Sequence, residues 1–234
     1  AQEMIDLAIV FANQPLMKGS RVAIVTNAGG PGIMATDACV RSGLQMAEMS
    51  PATVAKLKEK LPPTSNFSNP IDVIGDARHD RYEHALRCVI QDPNVDGVMV
   101  LLTPQAMTEA EETAKVIVDV DKGSEKTIVT CFMGHTDVAA GVEHLKQHNI
   151  PHCSFPEDSA RTLAAMNRYQ QWLHRPRTGV KKYKVDRQSA DAVIQAAMKV
   201  EQKFLPINQS MDIFSAYELP VIPILDGSVK DLPS

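Results

Sequence analysis

Three glycines, Gly29, Gly30 and Gly32, follow the run Arg21-Val22-Ala23-Ile24-Val25-Thr26-Asn27-Ala28 and precede Ile33, Met34, Ala35 and Ala38. The apolar run reads as a strand, the small residues as a tight loop, and the spaced apolar positions as the opening of a helix. Glycine removes the Cβ atoms that would hold an anion away from the main chain. The first turn of a helix has N–H groups without intrahelical partners, and the helix dipole adds partial positive charge there. Asn27, Ala28, Gly29, Gly30 and Gly32 are therefore candidate ligands for a phosphate or carboxylate, with no basic side chain required. The same glycines would equally serve a tight strand-to-helix turn. The Gly-Lys-Ser/Thr end of a Walker A loop is missing, as is the G-x-G-x-x-G spacing of a dinucleotide site.

The side chains that titrate offer fewer openings. Asp72 and Asp76 lie in Asn69-Pro70-Ile71-Asp72-Val73-Ile74-Gly75-Asp76-Ala77. Paired carboxylates suit metal binding or general-base work. Aspartates also bond the N–H groups of their own turns, and a carboxylate beside a phosphoryl group repels it, so the turn reading is preferred for Asp72, Gly75 and Asp76. Glu109, Glu111 and Glu112 read as the solvated start of a helix. His144 and His148 share a helix face, but neither they nor His152 have a third ligand at metal spacing, and no metal site is expected. Cys39, Cys88, Cys131 and Cys153 form no CxxC pair and read as buried, reduced thiols of a cytoplasmic protein.

Composition narrows the class. The 234 residues suffice for one good core and a small second unit. The net charge is −4 and no basic stripe stands out, which argues against nucleic acid as a partner. No apolar run is long enough to span a bilayer, and no signal peptide opens the chain. The chain starts in helix-like sequence without methionine and stops soon after Val221-Ile222-Pro223-Ile224, which reads as a strand. It is read as a piece of a longer polypeptide.

Strands are expected at 21–25, 45–48, 97–102, 126–133 and 150–153. Helices are expected at 31–42, 51–61 (with Ser50 as cap and Pro51 at its first position), 80–90, 109–120, 138–147 and 157–173. Gly97 to Leu102 is an unbroken apolar run of the kind buried on both faces. Alternating strands and helices give an α/β fold, a flavodoxin-like, doubly wound, five-stranded parallel sheet of order 2-1-3-4-5. Ligands of such sheets sit at the carboxyl ends of the strands, where the loops 27–32 and 103–108 converge. The Pro/Gly-punctuated basic stretch 174–186 reads as a solvated linker. Helices near 189–203 and 210–217 then make a short helical C-terminal extension.

Several segments in order carry a resemblance: Thr26-Asn27-Ala28-Gly29-Gly30-Pro31-Gly32, the loop 69–77, Asp96-Gly97-Val98, Asn149-Ile150-Pro151 and Phe155-Pro156-Glu157. Together they resemble the CoA-ligase domain of NDP-forming acyl-CoA synthetases, the superfamily of succinyl-CoA synthetase. The resemblance implies a connector helix at 1–14, the flavodoxin-like CoA-ligase domain at 15–173, the linker at 174–186 and the truncated start of an ATP-grasp domain at 187–234. It implies a relay in which acyl-CoA and phosphate give an acyl phosphate, a histidine of a neighbouring domain takes the phosphoryl group, and the ATP-grasp domain passes it to ADP. ATP or ADP, Mg2+ and CoA belong to the full protein, and none is bound tightly by this piece alone. The implied partners are the phosphohistidine-bearing and CoA-binding domains, the ATP-grasp domain, and a short-chain carboxylate or acyl phosphate; a homo-oligomer is also compatible.

By the same resemblance the helix opening at Gly30–Gly32 points its amides at the phosphoryl oxygens. Thr103, Gln105 and Thr108 fall where succinyl-CoA synthetase holds its substrate carboxylate, without the glycines and arginine used there. Gly134-His135-Thr136 looks like the surroundings of the phosphorylated histidine, yet the order of segments makes His135 a helix-flanking residue in a domain that is not phosphorylated. A second function is compatible with these residues: a regulatory acyl-CoA-synthetase-like module of a protein lysine acetyltransferase, its relay inactive. A response regulator is not, because Leu102-Thr103 stands where its phosphorylatable aspartate belongs.

Overall fold

The computed structural model describes residues 2–176, 179 and 182–222. The chain divides after Arg175 into two compact units. The first contains α1 (Gln2–Asn13), β1 (Arg21–Thr26), α2 (Gly29–Arg41), β2 (Gln45–Met46), α3 (Pro51–Lys60), β3 (Ile71–Asp72), α4 (His79–Ile90), β4 (Gly97–Leu102), α5 (Ala110–Lys122), β5 (Thr127–Phe132), α6 (Ala139–Gln147) and α7 (Pro156–His174). The second contains α8 (Arg187–Lys199) and α9 (Ile207–Ala216).

All strand pairs are parallel, in the order β2-β1-β4-β5, with β3 also on β1. Alternate residues of the central strands feed the two faces, as the pleat requires. Ala23, Val25, Val98, Val100 and Ile128 pack with Leu57, Tyr82, Ile117 and Leu145 under α3 to α6. Val22, Ile24, Met99, Leu101 and Val129 pack with Val10, Ala35, Leu163 and Met166 under α1, α2 and α7. Every residue of β4 and of β5 is buried. Ser50 caps α3 as expected, its side chain accepting from Thr53 N–H with Pro51 following. Gly141 lets α6 lie against the start of α5, because a Cβ there would stand 2.5 Å from the Ala110 carbonyl oxygen.

The expected five-stranded parallel sheet is present, but its fifth strand lies elsewhere. Residues 150–153 make a single bridge, Thr130 to His152. Asn149 enters with φ of 60°, and Pro151, lacking an N–H, can only accept from Thr130, at 2.9 Å to its main chain and 2.8 Å to its hydroxyl. The fifth strand is instead Ile71–Asp72, paired to the carboxyl end of β1 while β2 holds the other end of the same edge. Between them the Asn69 side chain takes a strand's place: Oδ1 accepts from Ile24 N–H at 2.9 Å, and Nδ2 donates to Val22 O at 2.7 Å and Ala47 O at 3.0 Å. The Asn69–Pro70 peptide is cis.

At the opposite end of the sheet Arg21 and Asp96 lock β1 to the entry of β4. Asp96 accepts from Arg21 Nη2 at 2.8 Å, from Nε at 2.9 Å and from the main-chain N–H at 2.9 Å. Burial favours the neutral carboxyl, but these bonds and the guanidinium charge prevail and hold Asp96 below the ordinary carboxylate range. A depressed carboxylate stabilises the fold above its unfolded pKa of about 3.9 and ceases to do so as the pH falls through the folded value. Acid titration of unfolding free energy should therefore fall below about pH 4, and Asp96→Asn should flatten that limb. An unchanged acid limb in the variant would dissociate this pair from acid stability.

In the second unit the Asp186 side chain accepts from Ser189 N–H at 3.0 Å at the start of α8, and Asp186 N–H donates to Ala216 O at 2.9 Å. The helix expected to 203 ends at Lys199, where Gln202 N–H turns back to Ala197 O and Glu201 adopts φ of 53°. Val221 and Ile222 are not in a strand. Pro223 and Ile224, and residues 177, 178, 180 and 181 of the expected linker, lie outside the described residues.

Candidate functional site

The loops after β1, β3 and β4 meet at the carboxyl edge of the sheet. Asn27 ties the first to the third. Its Nδ2 donates to Thr103 O at 2.8 Å, and its Oδ1 accepts from Thr103 N–H at 2.9 Å and from Thr103 Oγ1 at 3.1 Å. Gly75 closes the ring, since a Cβ there would stand 3.7 Å from Asn27 O and 3.8 Å from Gln105 Cγ. The third loop is braced internally: Gln105 N–H donates to Thr108 Oγ1 at 2.9 Å, and Thr108 N–H to Gln105 O at 3.0 Å.

The opening of α2 separates the five candidate anion ligands into two kinds. The Asn27 side chain is committed to Thr103. Ala28 N–H donates to Thr26 Oγ1 at 3.1 Å, the same hydroxyl returning a bond to Ala28 O at 3.0 Å. Gly32 N–H donates to Ala28 O at 3.2 Å, and a Cβ on Gly32 would stand 3.2 Å from Thr26 Cγ2, so this glycine allows α2 to seat on β1. Pro31 has no N–H. Gly29 and Gly30 are exposed, and their N–H groups have no partner among the described residues. No side chain caps the helix at Ala28, and around Gly30 nothing lies within 4 Å of an added Cβ. Two bare amides at the positive end of a helix are thus presented outward.

Asp72 stands beside them. Its Oδ1 accepts from Ile74 N–H at 2.8 Å, the local turn bond anticipated above. Its Oδ2 lies 3.7 Å from where a Gly29 Cβ would be. Ile74 holds φ of 71°, a left-handed conformation that a β-branched residue seldom adopts. The bond to Asp72 and that from Ala77 N–H to Ile74 O, 2.9 Å, fix it there. Asp76 is committed to Arg81, whose Nη1 and Nη2 donate to its two oxygens at 2.6 and 3.3 Å. The hydrogen bond from Arg81 draws its carboxyl below the ordinary range. Arg81 also donates to Val73 O at 3.2 Å.

Arg81 and His79 were not singled out by the sequence, and Glu109 was read only as part of a solvated helix start. His79 Nδ1 is 2.5 Å from Glu109 Oε2 and Arg78 approaches the same carboxylate at 3.9 Å, so Glu109 is held by two side chains rather than by solvation alone. The hydrogen bond from His79 lowers its pKa. The only advance signal was that Arg78, His79 and Arg81 directly follow the loop 69–77 in sequence.

Pro104, Gln105, Ala106, Thr108 and Asp137 line an open depression of about 540 Å³ on the β4 side of this edge. His135 is exposed in the bend between β5 and α6, before the helix that begins at Ala139. His144 and His148 stack with ring centroids 4.3 Å apart, and among the described residues no group of three His, Cys, Asp or Glu is placed to hold a metal ion. His152 is partly buried with Nε2 accepting from Phe132 N–H at 3.2 Å, and its desolvation lowers its pKa. Burial pushes the Cys39 thiol up to about 12 and Cys153 to about 11, and raises Cys131 as well, which keeps them protonated and poor nucleophiles. Among the described residues no helix is long and apolar enough to cross a membrane.

Comparison with known proteins adds ancestry to this geometry. Residues 22–177 match the family model described as Ligase-CoA domain. The chain is 32% identical over 220 residues to 4-hydroxybutyrate–CoA ligase [ADP-forming] of Nitrosopumilus maritimus, covering 94% of this chain and 31% of that protein. It is 32% identical over 225 residues to acetate–CoA ligase [ADP-forming] I of Archaeoglobus fulgidus, covering 95% of this chain and 31% of that one. It superposes with TM-score 0.69 and 27% identity on dinucleotide forming acetyl-coenzyme A synthetase 1 of Ca. Korarchaeum cryptofilum in complex with phosphate and ADP, covering 76% of this chain and 40% of that one. The chain spans about a third of the length of the two curated relatives. With most of its α/β unit matched by the family model and its parallel sheet shared with a solved synthetase, the chain belongs to the Ligase-CoA domain family.

Proposed function

We propose that this chain is the CoA-ligase portion of an ADP-forming acyl-CoA synthetase, and that the opening of α2 receives a phosphoryl group carried on a histidine of another domain. The observation that carries this reading is the pair of outward, unpartnered amides at Gly29 and Gly30. In the relay, acyl-CoA and phosphate exchange to give acyl phosphate and free CoA. The acyl phosphate gives its phosphoryl group to the histidine and leaves as the carboxylate. ADP then accepts the phosphoryl group and the histidine is regenerated. Nucleotide, Mg2+ and CoA would supply their chemistry in the rest of such a protein, and this edge contributes two amides and the Asp72 carboxylate.

The presence of Asp72 bears on which anion belongs here. A free phosphate meets two donors and one repelling carboxylate. A phosphohistidine offers oxygens to Gly29 and Gly30 and a ring N–H that Asp72 Oδ2 is able to accept. The charge is thereby matched group by group, and the donors are fixed before the phosphoryl arrives, the condition under which such contacts favour a transition state. Thr103, Gln105 and Thr108 are proposed to bound the acid's side of the site, and His135 to be a surface residue outside the relay. The catalytic reading is preferred to the regulatory one because the curated relatives are ligases. The α8–α9 hairpin is proposed as the lead into an ATP-grasp domain.

An amide-resolved NMR titration tests the anion site. Inorganic phosphate should move the Gly29 and Gly30 resonances and leave Gly32 nearly still, and Asp72→Asn should tighten that binding several-fold. If neither amide moves in the native protein or in the variant, the reading fails.

A further inference from the structure

The open depression beside β4 has a polarity of its own. Gln105 borders both it and the ring of loops next to α2: Gln105 lines the depression, and its Cγ stands 3.8 Å from where a Gly75 Cβ would be. The side-chain donors of the 103–108 loop all turn inward. Thr103 Oγ1 donates to Asn27 Oδ1 at 3.1 Å, Thr108 Oγ1 to Thr103 O at 3.3 Å, and Gln105 Nε2 to Thr103 Oγ1 at 3.4 Å. Gln105 Oε1 has no partner among the described residues. The opposite wall is the bend before α6. Gly134, at φ of 135°, sets that bend against the loop, since a Cβ there would stand 3.4 Å from Pro104 Cγ. Val138 is buried, and Ala139 N–H donates to Thr136 O at 3.3 Å, so Asp137 is held between two fixed neighbours.

Asp137 is exposed and its carboxylate has no hydrogen-bond or ion-pair partner among the described residues. No lysine or arginine is among the residues lining the depression. The side chains there offer acceptor oxygens and a negative charge, and no free donor. A carboxylic acid reacting beside α2 turns its carboxyl group toward the phosphoryl site and its other end toward this wall. The groups such an end can carry are not equivalent. A hydroxyl or an ammonium donates to these oxygens. A methyl leaves them to water. A second carboxylate meets Asp137 with like charge and no cation to offset it.

Granted the placement of the acid proposed above, we infer that Asp137 is a specificity-determining residue, and that the full-length protein takes a short carboxylic acid whose far end donates a hydrogen bond. The test is kcat/KM of the full-length protein for 3-hydroxypropionate, β-alanine, propionate and malonate, read as ADP formed with ATP and CoA present. The first two should exceed propionate about tenfold, the scale of one hydrogen bond to a charged group, and malonate should fall below it. Asp137→Ala should bring the ratio of 3-hydroxypropionate to propionate within about threefold of unity, as that bond is lost. Asp137→Lys should move malonate to the top of the series, a reversal that a merely structural role would not produce. Four equal constants, no turnover of any of the four, or ratios unchanged in both variants would each overturn the assignment. Where Gly30→Pro still slows phosphoryl transfer to histidine, the assignment of Asp137 falls alone. Where that variant is silent as well, the proposed function falls with it.

Discussion

Asn69→Asp is expected to lower the unfolding free energy by about 3–5 kcal/mol, more than Asn69→Ala does, because it reverses the polarity of a buried contact as well as losing one. The amide of Asn69 donates to Val22 O and Ala47 O while its oxygen accepts from Ile24 N–H. All three main-chain residues are buried. An aspartate retains the acceptor and replaces the donor with a second acceptor, so two carbonyls lose a partner and face a negative oxygen. The alanine variant only leaves the groups unpaired. The deficit of the aspartate variant should shrink on acidification, since a protonated carboxyl regains one donor, whereas that of the alanine variant should not follow the same course. Urea unfolding of the three proteins at several pH values decides it. An aspartate variant no less stable than the alanine one would remove Asn69 from its role as a surrogate strand.

That residue also marks where sequence reading ran out. The central strands were legible as apolar runs, and α4 and α5 as amphipathic periods, because burial on one or two faces leaves a repeating signature. The Ser50 cap was legible because a serine before proline has few other uses. β3 was not: two residues carry no period, and the side chain that makes β3 and β2 share an edge with β1 is a single asparagine. The segment 150–153 looked like a strand by composition, but Pro151 removes the donor a ladder needs. At the α2 opening, the glycines gave the place but not the number of free donors. Gly32 was readable in principle, since the fourth residue after a cap already has an intrahelical acceptor. The capture of Ala28 N–H by Thr26 and of Asn27 by Thr103 depends on side-chain placement, as do the pairing of Asp76 with Arg81 and of Glu109 with His79.

The remaining large effect is on chemistry and leaves the fold nearly alone. Gly30→Pro deletes one of the two free N–H groups at a position where an added side chain meets nothing within 4 Å and where the first turn of a helix tolerates proline. Stability should change by no more than about 1 kcal/mol, the cost falling mainly on the conformation of Gly29 before the new proline. In the full-length protein, transfer of labelled phosphoryl groups to histidine from an acyl phosphate should slow by about 10²–10³-fold, the loss seen when one preorganised donor is withdrawn from developing charge. Gly30→Ala keeps the amide and should retain far more of the rate, which separates the N–H from the absence of a side chain. Asp72→Ala should slow transfer without weakening binding of inorganic phosphate, because its proposed partner is the imidazole and not the phosphoryl oxygens. Native transfer rates in Gly30→Pro would place the phosphoryl group beyond reach of α2, and the family membership of the chain would then say nothing about what this helix contacts.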